Sequence, residues 1–118
     1  MGKSLISSHP AVVQKLYDIL VWLSPIVAKF PKDKRYTLGQ RMESLLLDTL
    51  ETLVEAAYTK EKRGLLRRAN TNLEKFRFLT RLAKDLQFIN LRRFEYLAGQ
   101  VNEVGAMLGG WIKQQAQA

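Results

Sequence analysis

The sequence contains no cysteine and only one histidine, His9. Without cysteine the chain has no disulfide framework, no thiolate zinc site and no thiol nucleophile. His9 lies near the N-terminus, where we interpret it as a plain surface residue. Phosphate-binding glycine loops and nucleophile elbows are also absent. Because the residue types that carry most enzyme chemistry are missing, we expect no enzymatic activity and no cofactor.

Three carboxylates are spaced in a way that can suggest a metal site. Asp48, Glu51 and Glu55 would share one face of a helix. A metal site between helices needs further ligands from a facing helix, such as histidines or a second set of carboxylates. We find no such ligands, so we expect no metal. We interpret the three residues as a solvated acidic strip, or as partners of a basic helix in another subunit.

Long hydrophobic runs are missing as well. The longest apolar stretch, from Val12 to Phe30, contains the charged residues Lys15 and Asp18. A membrane-spanning helix needs about 20 apolar residues with few charges. The opening segment MGKSLISSHP lacks the apolar region of a secretory signal. We therefore expect a cytoplasmic protein, which the absence of cysteine fits.

The apolar residues that are present recur at helical spacing. The chain has 118 residues, of which 47% are hydrophobic and 25% charged, as is typical of a globular protein with its own core. No stretch alternates with a period of two between hairpin turns. We predict helices over about residues 10–30, 38–58, 61–87 and 91–114, in a single domain of residues 1–118. Their lengths and short connections favour an all-α fold, an antiparallel up-down-up-down four-helix bundle.

Local signals give the predicted helix ends. Pro25 lies inside the first helical pattern and predicts a kink, and Pro31 ends that helix. The segment PKDKR is predicted to be a loop, followed by a capping box at Thr37–Gln40 that opens the second helix. Asn90 is predicted to cap the fourth helix, and the C-terminal QQAQA to fray.

The second helix carries more apolar surface than a small bundle requires. Its apolar residues cover an arc of about 200°, whereas about 100° is enough for such a helix. Two interpretations stay open: a helix set deeply in a monomer, or a second surface that is buried between subunits. The central stripe of the arc consists of Met42, Leu46, Leu50, Leu53 and Ala57.

The positive charge is concentrated in one part of the chain. Residues 62–93 hold ten Lys or Arg against two acids, Glu74 and Asp85, which accounts for the whole net charge of +8. An excess of this kind creates a positive electrostatic potential on one part of the surface, which attracts a polyanion or an acidic protein surface.

Most of these cations fall on the predicted third helix. Five of them, Arg63, Arg67, Arg77, Arg81 and Lys84, lie between about 100° and 200° from Leu65, along about 30 Å of helix, with Phe78 at about 220°. An aromatic side chain beside arginines can stack on a base or fill a pocket in a protein partner. The predicted core stripe is Leu65, Ala69, Leu73, Phe76, Leu79, Ala83 and Leu86. The predicted binding residues are Arg63, Arg67, Arg77, Phe78, Arg81, Lys84, Arg92 and Arg93.

The basic face is compatible with two further interpretations. One is an ordinary solvated face with one exposed aromatic residue. The second is a basic amphipathic helix that lies on an anionic membrane surface, which co-sedimentation with liposomes would test. We favour a nucleic-acid or protein partner and no membrane.

Two parts of the sequence resemble known families. Phe30-Pro31-Lys32 with Tyr36 to Gln40 is similar to the opening of the four-helix-bundle proteins encoded in intervening sequences of bacterial 23S ribosomal RNA genes. The stretches LRRANTNLEKFRFLTRLAKDLQFI and VGAMLGGWIK resemble the accessory variability determinant (Avd) protein of diversity-generating retroelements, which shares that fold. The resemblance covers roughly residues 17–113.

The resemblance to Avd implies an assembly and a function. It implies a basic homopentameric barrel that binds the reverse transcriptase and nucleic acid of the retroelement and supports mutagenic copying of template RNA into cDNA. It also implies that Arg77 and Arg81 are functional, because arginines of the third helix are the functional residues of that family. The expected partners are the reverse transcriptase, RNA (with DNA or an RNA–DNA hybrid as alternatives) and further copies of the chain. The alternative is a ribosomal intervening-sequence-type bundle with another RNA or protein partner.

Overall fold

The computed structural model describes residues 10–117, and four long helices make up most of them. They are α1 (Ala11–Val27), α2 (Gln40–Ala57), α3 (Arg63–Asp85) and α4 (Leu91–Gln117). No strand occurs in this part of the chain. The predicted all-α, four-helix fold is therefore confirmed. His9 lies outside the described residues.

The helices pack in a closed order in which each has two neighbours. α3 lies against α2 and α4, and α1 lies against the same two helices, as expected for a four-helix bundle. Within residues 10–117 no helix is both long and apolar enough to cross a membrane. The largest fully buried side chains of the core include Phe30, Phe76, Leu16, Leu23, Met42, Leu46, Leu53, Leu66, Leu73, Leu97 and Leu108.

The segment that follows Pro31 is helical, so the loop predicted for PKDKR is wrong. An α-helical turn at Lys32–Lys34 and a π-helical turn at Arg35–Gly39 lead directly into α2. Pro31 precedes this first turn and accepts hydrogen bonds from the amides of Lys34 and Arg35, at 2.8 and 2.9 Å. Proline is tolerated there because its missing N–H would have no partner within the helix.

The capping box predicted at Thr37–Gln40 is also wrong. Thr37 lies within the π-helical turn, where its hydroxyl donates to the carbonyl oxygen of Asp33 at 3.2 Å and not to an amide at a helix start. Threonine commonly bonds the preceding turn in this way inside helices. Residues 37–40 match the sequence pattern of a capping box, but the chain is already helical from Lys32 onward.

Gly39 marks the closest approach between the π-helical turn and the end of α1. A Cβ at this position would lie 2.6 Å from Cγ1 of Val27 and 3.3 Å from Cδ2 of Phe30. Val27 and Phe30 are both buried. Only glycine allows the backbone to pack this closely without displacing the core.

The remaining helix ends agree with the predicted ones to within a few residues. α1 runs through Pro25 and ends at Val27, before the predicted Phe30. Gln87, just after α3, has φ 66°, a left-handed conformation that commonly terminates helices. The side chain of Asn90 accepts a hydrogen bond from the amide of Arg93 at 2.8 Å, which confirms the predicted cap. α4 continues to Gln117, so the helix includes most of the tail predicted to fray.

The buried face of α3 is rotated relative to the predicted stripe. Leu65 and Leu79 are only half-buried, and Leu86 is 46% exposed. The centre of the buried face is shifted by about 40° toward the side that carries Arg77 and Lys84. Two polar side chains enter the core as a result. The buried residues of α3 are Leu66, Ala69, Asn72, Leu73, Phe76, Thr80 and Ala83.

The wide apolar arc of α2 is largely used within the subunit. Leu45, Leu50 and Val54 pack half-buried against the core, and Thr49 and Thr52 are buried beside them. Leu47 remains exposed. Of the two interpretations of the arc, the structure favours a helix that is set deeply in its own bundle.

Candidate nucleic-acid interface

The eight predicted binding residues lie on α3 and on the first turn of α4, but they do not form one continuous face. Arg77 and Arg81 line a pocket between α3 and α4. Arg63 and Arg67 lie at the far end of α3, beside the end of α4. Phe78 faces the groove between α2 and α3.

The pocket between α3 and α4, here called the α3–α4 pocket, has a volume of about 180 Å³. Phe94, Ala98 and Val101 of α4 supply its apolar lining, and two arginines lie among its polar lining residues. The remaining lining residues are Arg77, Thr80, Arg81 and Asn102.

Arg77 is held between the two helices and is not a free surface cation. Its guanidinium forms an ion pair with Glu74, and Nη2 donates to Oδ1 of Asn102 at 3.4 Å. Nη2 would lie 2.8 Å from a Cβ on Gly105, so the absence of a side chain on α4 provides the space that the guanidinium occupies. Arg77 is 33% exposed in its side chain. Arg77 is thus partly buried at the contact between the two helices, because the buried face of α3 is rotated toward it.

Arg81 differs from Arg77 although both line the same pocket. Its side chain is exposed and makes no ion pair or hydrogen bond within residues 10–117. Its charge is therefore available to an anionic partner. Arg77, in contrast, is paired with Glu74 and also links α3 to Asn102 of α4.

Lys84 lies one turn further along the helix and interacts with both a ring and an acid. Its Nζ is 4.7 Å from the centroid of the Phe94 ring, within the range of a cation–π interaction. It is also 3.4 Å from Oδ1 of Asp85. Through Phe94, Lys84 belongs to the surroundings of the α3–α4 pocket.

Arg63 and Arg67 form a second cationic region near the start of α3. Both are exposed, and both line a shallow pocket of about 150 Å³ together with Ile112 and Gln115 of α4. The last turns of α4 are therefore part of this region. The sequence predicted that these two arginines share one helical face with Arg77 and Arg81. In the structure all four line pockets on the side of α3 that faces α4.

Phe78 is not beside these arginines. It is 68% exposed and lines a groove toward α2 with Arg41, Asp48 and Lys75. The rotation of α3 places it almost opposite the core. An interaction of Phe78 with a ligand of the α3–α4 pocket is therefore excluded by geometry, and its exposure suggests a contact on the α2 side.

Arg92 and Arg93 stand exposed in the first turn of α4, which contains no acidic residue. The positive end of the helix dipole lies at this terminus, so cations there are unfavourable for the helix itself. Their placement is not explained by helix stability. It adds positive charge next to the segment that leads from α3 into α4.

Sequence reasoning missed the residues of α4 that shape the pocket. Asn102 and Phe94 were not singled out as site residues, since neither carries a charge. A usable signal was present: Ala98 and Gly105 lie near one flank of α4, and Asn102 lies between them in the sequence. Within residues 10–117 no cluster of histidine and acidic side chains could hold a metal ion.

A family model described as bAvd-like matches residues 11–115, which is nearly the whole chain. The chain belongs to the bAvd-like family. A comparison with curated proteins found no match. The bAvd-like proteins are a family of accessory proteins and are not known as enzymes, and membership implies an association with components of diversity-generating retroelements. The predicted resemblance to Avd is thereby confirmed.

Proposed function

We propose that this bAvd-like protein is the accessory subunit of a diversity-generating retroelement, that it binds the reverse transcriptase and the template RNA, and that it supports mutagenic cDNA synthesis without catalysing a reaction itself. The observation that carries the proposal is the cationic surface on the α4 side of α3. Its exposed residues Arg63, Arg67 and Arg81 have no acidic partner within residues 10–117. A surface of this kind suits a polyanion.

The physical basis of the proposed RNA binding is the release of counterions from phosphates. Cations that neutralise phosphates free the ions condensed on the nucleic acid, and this gain is largely independent of sequence. A cytoplasmic location, near the polymerase and its template, is part of the proposal. The match to the bAvd-like family is the reason for preferring this function to that of a ribosomal intervening-sequence-type bundle.

The proposal also includes a homo-oligomer, with five copies as the resemblance to Avd implies. Support comes from an open groove between the π-helical turn and α3, which is lined by Tyr36, Leu79, Leu82 and Leu86. Leu82 and Leu86 are each close to half exposed. The same groove is rimmed by polar residues such as Lys34 and Arg41, and exposed apolar side chains inside a polar rim are one of the features that mark a protein interface.

The test is a pull-down of the reverse transcriptase and of template RNA with the full chain. Arg67→Ala combined with Arg81→Ala removes two exposed charges from the proposed surface and should reduce recovery of RNA, polymerase or both. Lys29→Ala combined with Lys60→Ala removes two exposed charges outside it and should leave recovery unchanged. Equal recovery with both double variants would contradict the proposed surface. A reverse transcriptase gene beside this gene, with paired template and variable repeats, is the corresponding genomic expectation.

A further inference from the structure

The α3–α4 pocket has the size and lining of a site for one small ring. Phe94, Ala98 and Val101 provide apolar surface, and the volume is about 180 Å³. An apolar cavity of about 150 Å³ is known to hold one benzene molecule. The pocket is therefore large enough for a single six-membered ring.

The pocket also has a polar group at its rim. Asn102 uses its oxygen to accept from Arg77, and its side-chain amide nitrogen makes no hydrogen bond in the described part of the chain. A ring with a carbonyl oxygen on its edge can accept a hydrogen bond from this nitrogen. Thr80 lines the pocket as well, but its Oγ1 is enclosed by protein atoms and does not face the open volume.

The charges around the pocket indicate what the ring is attached to. Arg77 and Arg81 line the pocket, and the ammonium group of Lys84 lies 4.7 Å from the centroid of the Phe94 ring. An apolar side chain of a protein partner brings no charge with it. A nucleotide carries a polar-edged ring and an anionic phosphate in one unit, so the combination favours a nucleotide.

We infer that the α3–α4 pocket binds one pyrimidine base of single-stranded RNA, with the neighbouring phosphates on Arg77 and Arg81. The inference rests on the proposed function and deepens it, because it assigns a base-binding site to a protein that otherwise contacts the RNA backbone. The base lies against Phe94, and a carbonyl oxygen on its edge accepts a hydrogen bond from the side-chain amide of Asn102. Insertion of a base requires an unpaired strand, so duplex RNA is excluded from this site.

The test compares a short oligouridine with an oligomer of the same length and charge that lacks its bases. Binding of the full chain to each is measured by fluorescence anisotropy at one salt concentration. Loss of a stacked base commonly weakens binding by about tenfold, so the abasic oligomer should bind about tenfold more weakly. The shared phosphate contacts should keep its affinity measurable.

Two variants connect this preference to the pocket. Ala98→Leu fills the pocket and keeps every cation, so it should abolish the difference between the two oligomers. Ala106→Leu makes the same change at an exposed position of α4 outside the pocket and should retain the difference.

The outcomes separate this inference from the proposed function. Equal, salt-dependent binding of both oligomers by the wild-type chain would overturn the pocket and leave the proposed function intact. A base preference that survives in a folded Ala98→Leu variant would also overturn it. An Ala98→Leu variant that keeps the base preference and no longer recovers the polymerase would overturn it as well, since the pocket would then belong to a protein partner. Failure to bind either oligomer would count against the proposed RNA binding itself, and the inference would fall with it.

Discussion

At the scale of single residues, the position of Arg77 is set by a missing side chain on the neighbouring helix. Gly105 leaves room for the guanidinium, and Glu74 and Asn102 hold it. Arg77 therefore has two roles: it links α3 to α4, and it places positive charge at the mouth of the α3–α4 pocket. Arg81, in the same pocket, has only the second role.

Gly105→Ala tests the position of Arg77 without changing any charge. The new Cβ would come within 2.8 Å of Nη2, so the flexible guanidinium must move. Alanine is favoured over glycine inside a helix by about 0.5–1 kcal/mol, so we expect the melting temperature to hold or rise while RNA binding weakens. Gly109→Ala, with no atom near its Cβ, is the control on the same helix. Unchanged RNA binding in Gly105→Ala would show that the placement of Arg77 does not matter.

Removal of the two arginines one at a time should separate folding from binding. Arg81→Ala should change stability by no more than about 0.5 kcal/mol, as is usual for surface positions. Arg77→Ala should cost more, because it removes an ion pair of a kind worth about 0.2–1 kcal/mol. Both should weaken binding to RNA or to the polymerase. Thermal melting and a binding assay on the same variants decide the matter, and a lower melting temperature with intact binding would reduce Arg77 to a structural role.

At the scale of elements, the π-helical turn before α2 depends on Gly39. Gly39→Ala would force a Cβ against the buried side chains of Val27 and Phe30. Insertion of extra atoms into a packed core commonly costs about 1–3 kcal/mol, so chemical denaturation should show a loss of this order. Gly64→Ala, in the first turn of α3 with open space around its Cβ, should be neutral or stabilising. A similar response from both variants would mean that the close packing at Gly39 is unimportant.

The elements also show where sequence reasoning succeeds. Apolar spacing predicted all four helices, and the local chemistry of Asn90 gave the start of α4. The helical turns of residues 32–39 were missed because Pro31 can either end one helix or begin the next, and the close packing of Gly39 on the end of α1 is not visible in the sequence. The rotation of α3 was missed because the burial of Thr80 depends on the positions of the neighbouring helices, which a hydrophobic pattern does not contain.

For the candidate site, the sequence predicted the charges but not their geometry. The concentration of cations in residues 62–93 is visible directly in the sequence. The separation of Phe78 from Arg81 and the pairing of Arg77 with Asn102 require the packing of α3 on α4. Uncharged pocket residues such as Phe94 carry no chemical signal that distinguishes them from core residues.

At the scale of the whole molecule, assembly is the main prediction. Light scattering at micromolar concentration should give a mass of several subunits. Leu82→Glu places a charge in the open groove beside Leu86 and should lower this mass while leaving the helix content unchanged. Leu91→Glu changes an exposed leucine outside the groove and should have no effect. A monomeric wild-type chain would contradict the prediction. The acidic strip of Asp48, Glu51 and Glu55 would then be an ordinary solvated face.

The net charge of +8 is concentrated in residues 62–93, and the exposed arginines on the α4 side of α3 lead to the central claim, that this surface binds nucleic acid through phosphates. The most direct test is the affinity for single-stranded RNA measured over a range of salt concentrations. We expect log affinity to fall linearly with log salt, with a slope of about −0.7 for each phosphate contacted. Arg81→Ala should reduce the magnitude of the slope by about one. An affinity that does not change with salt would contradict the account.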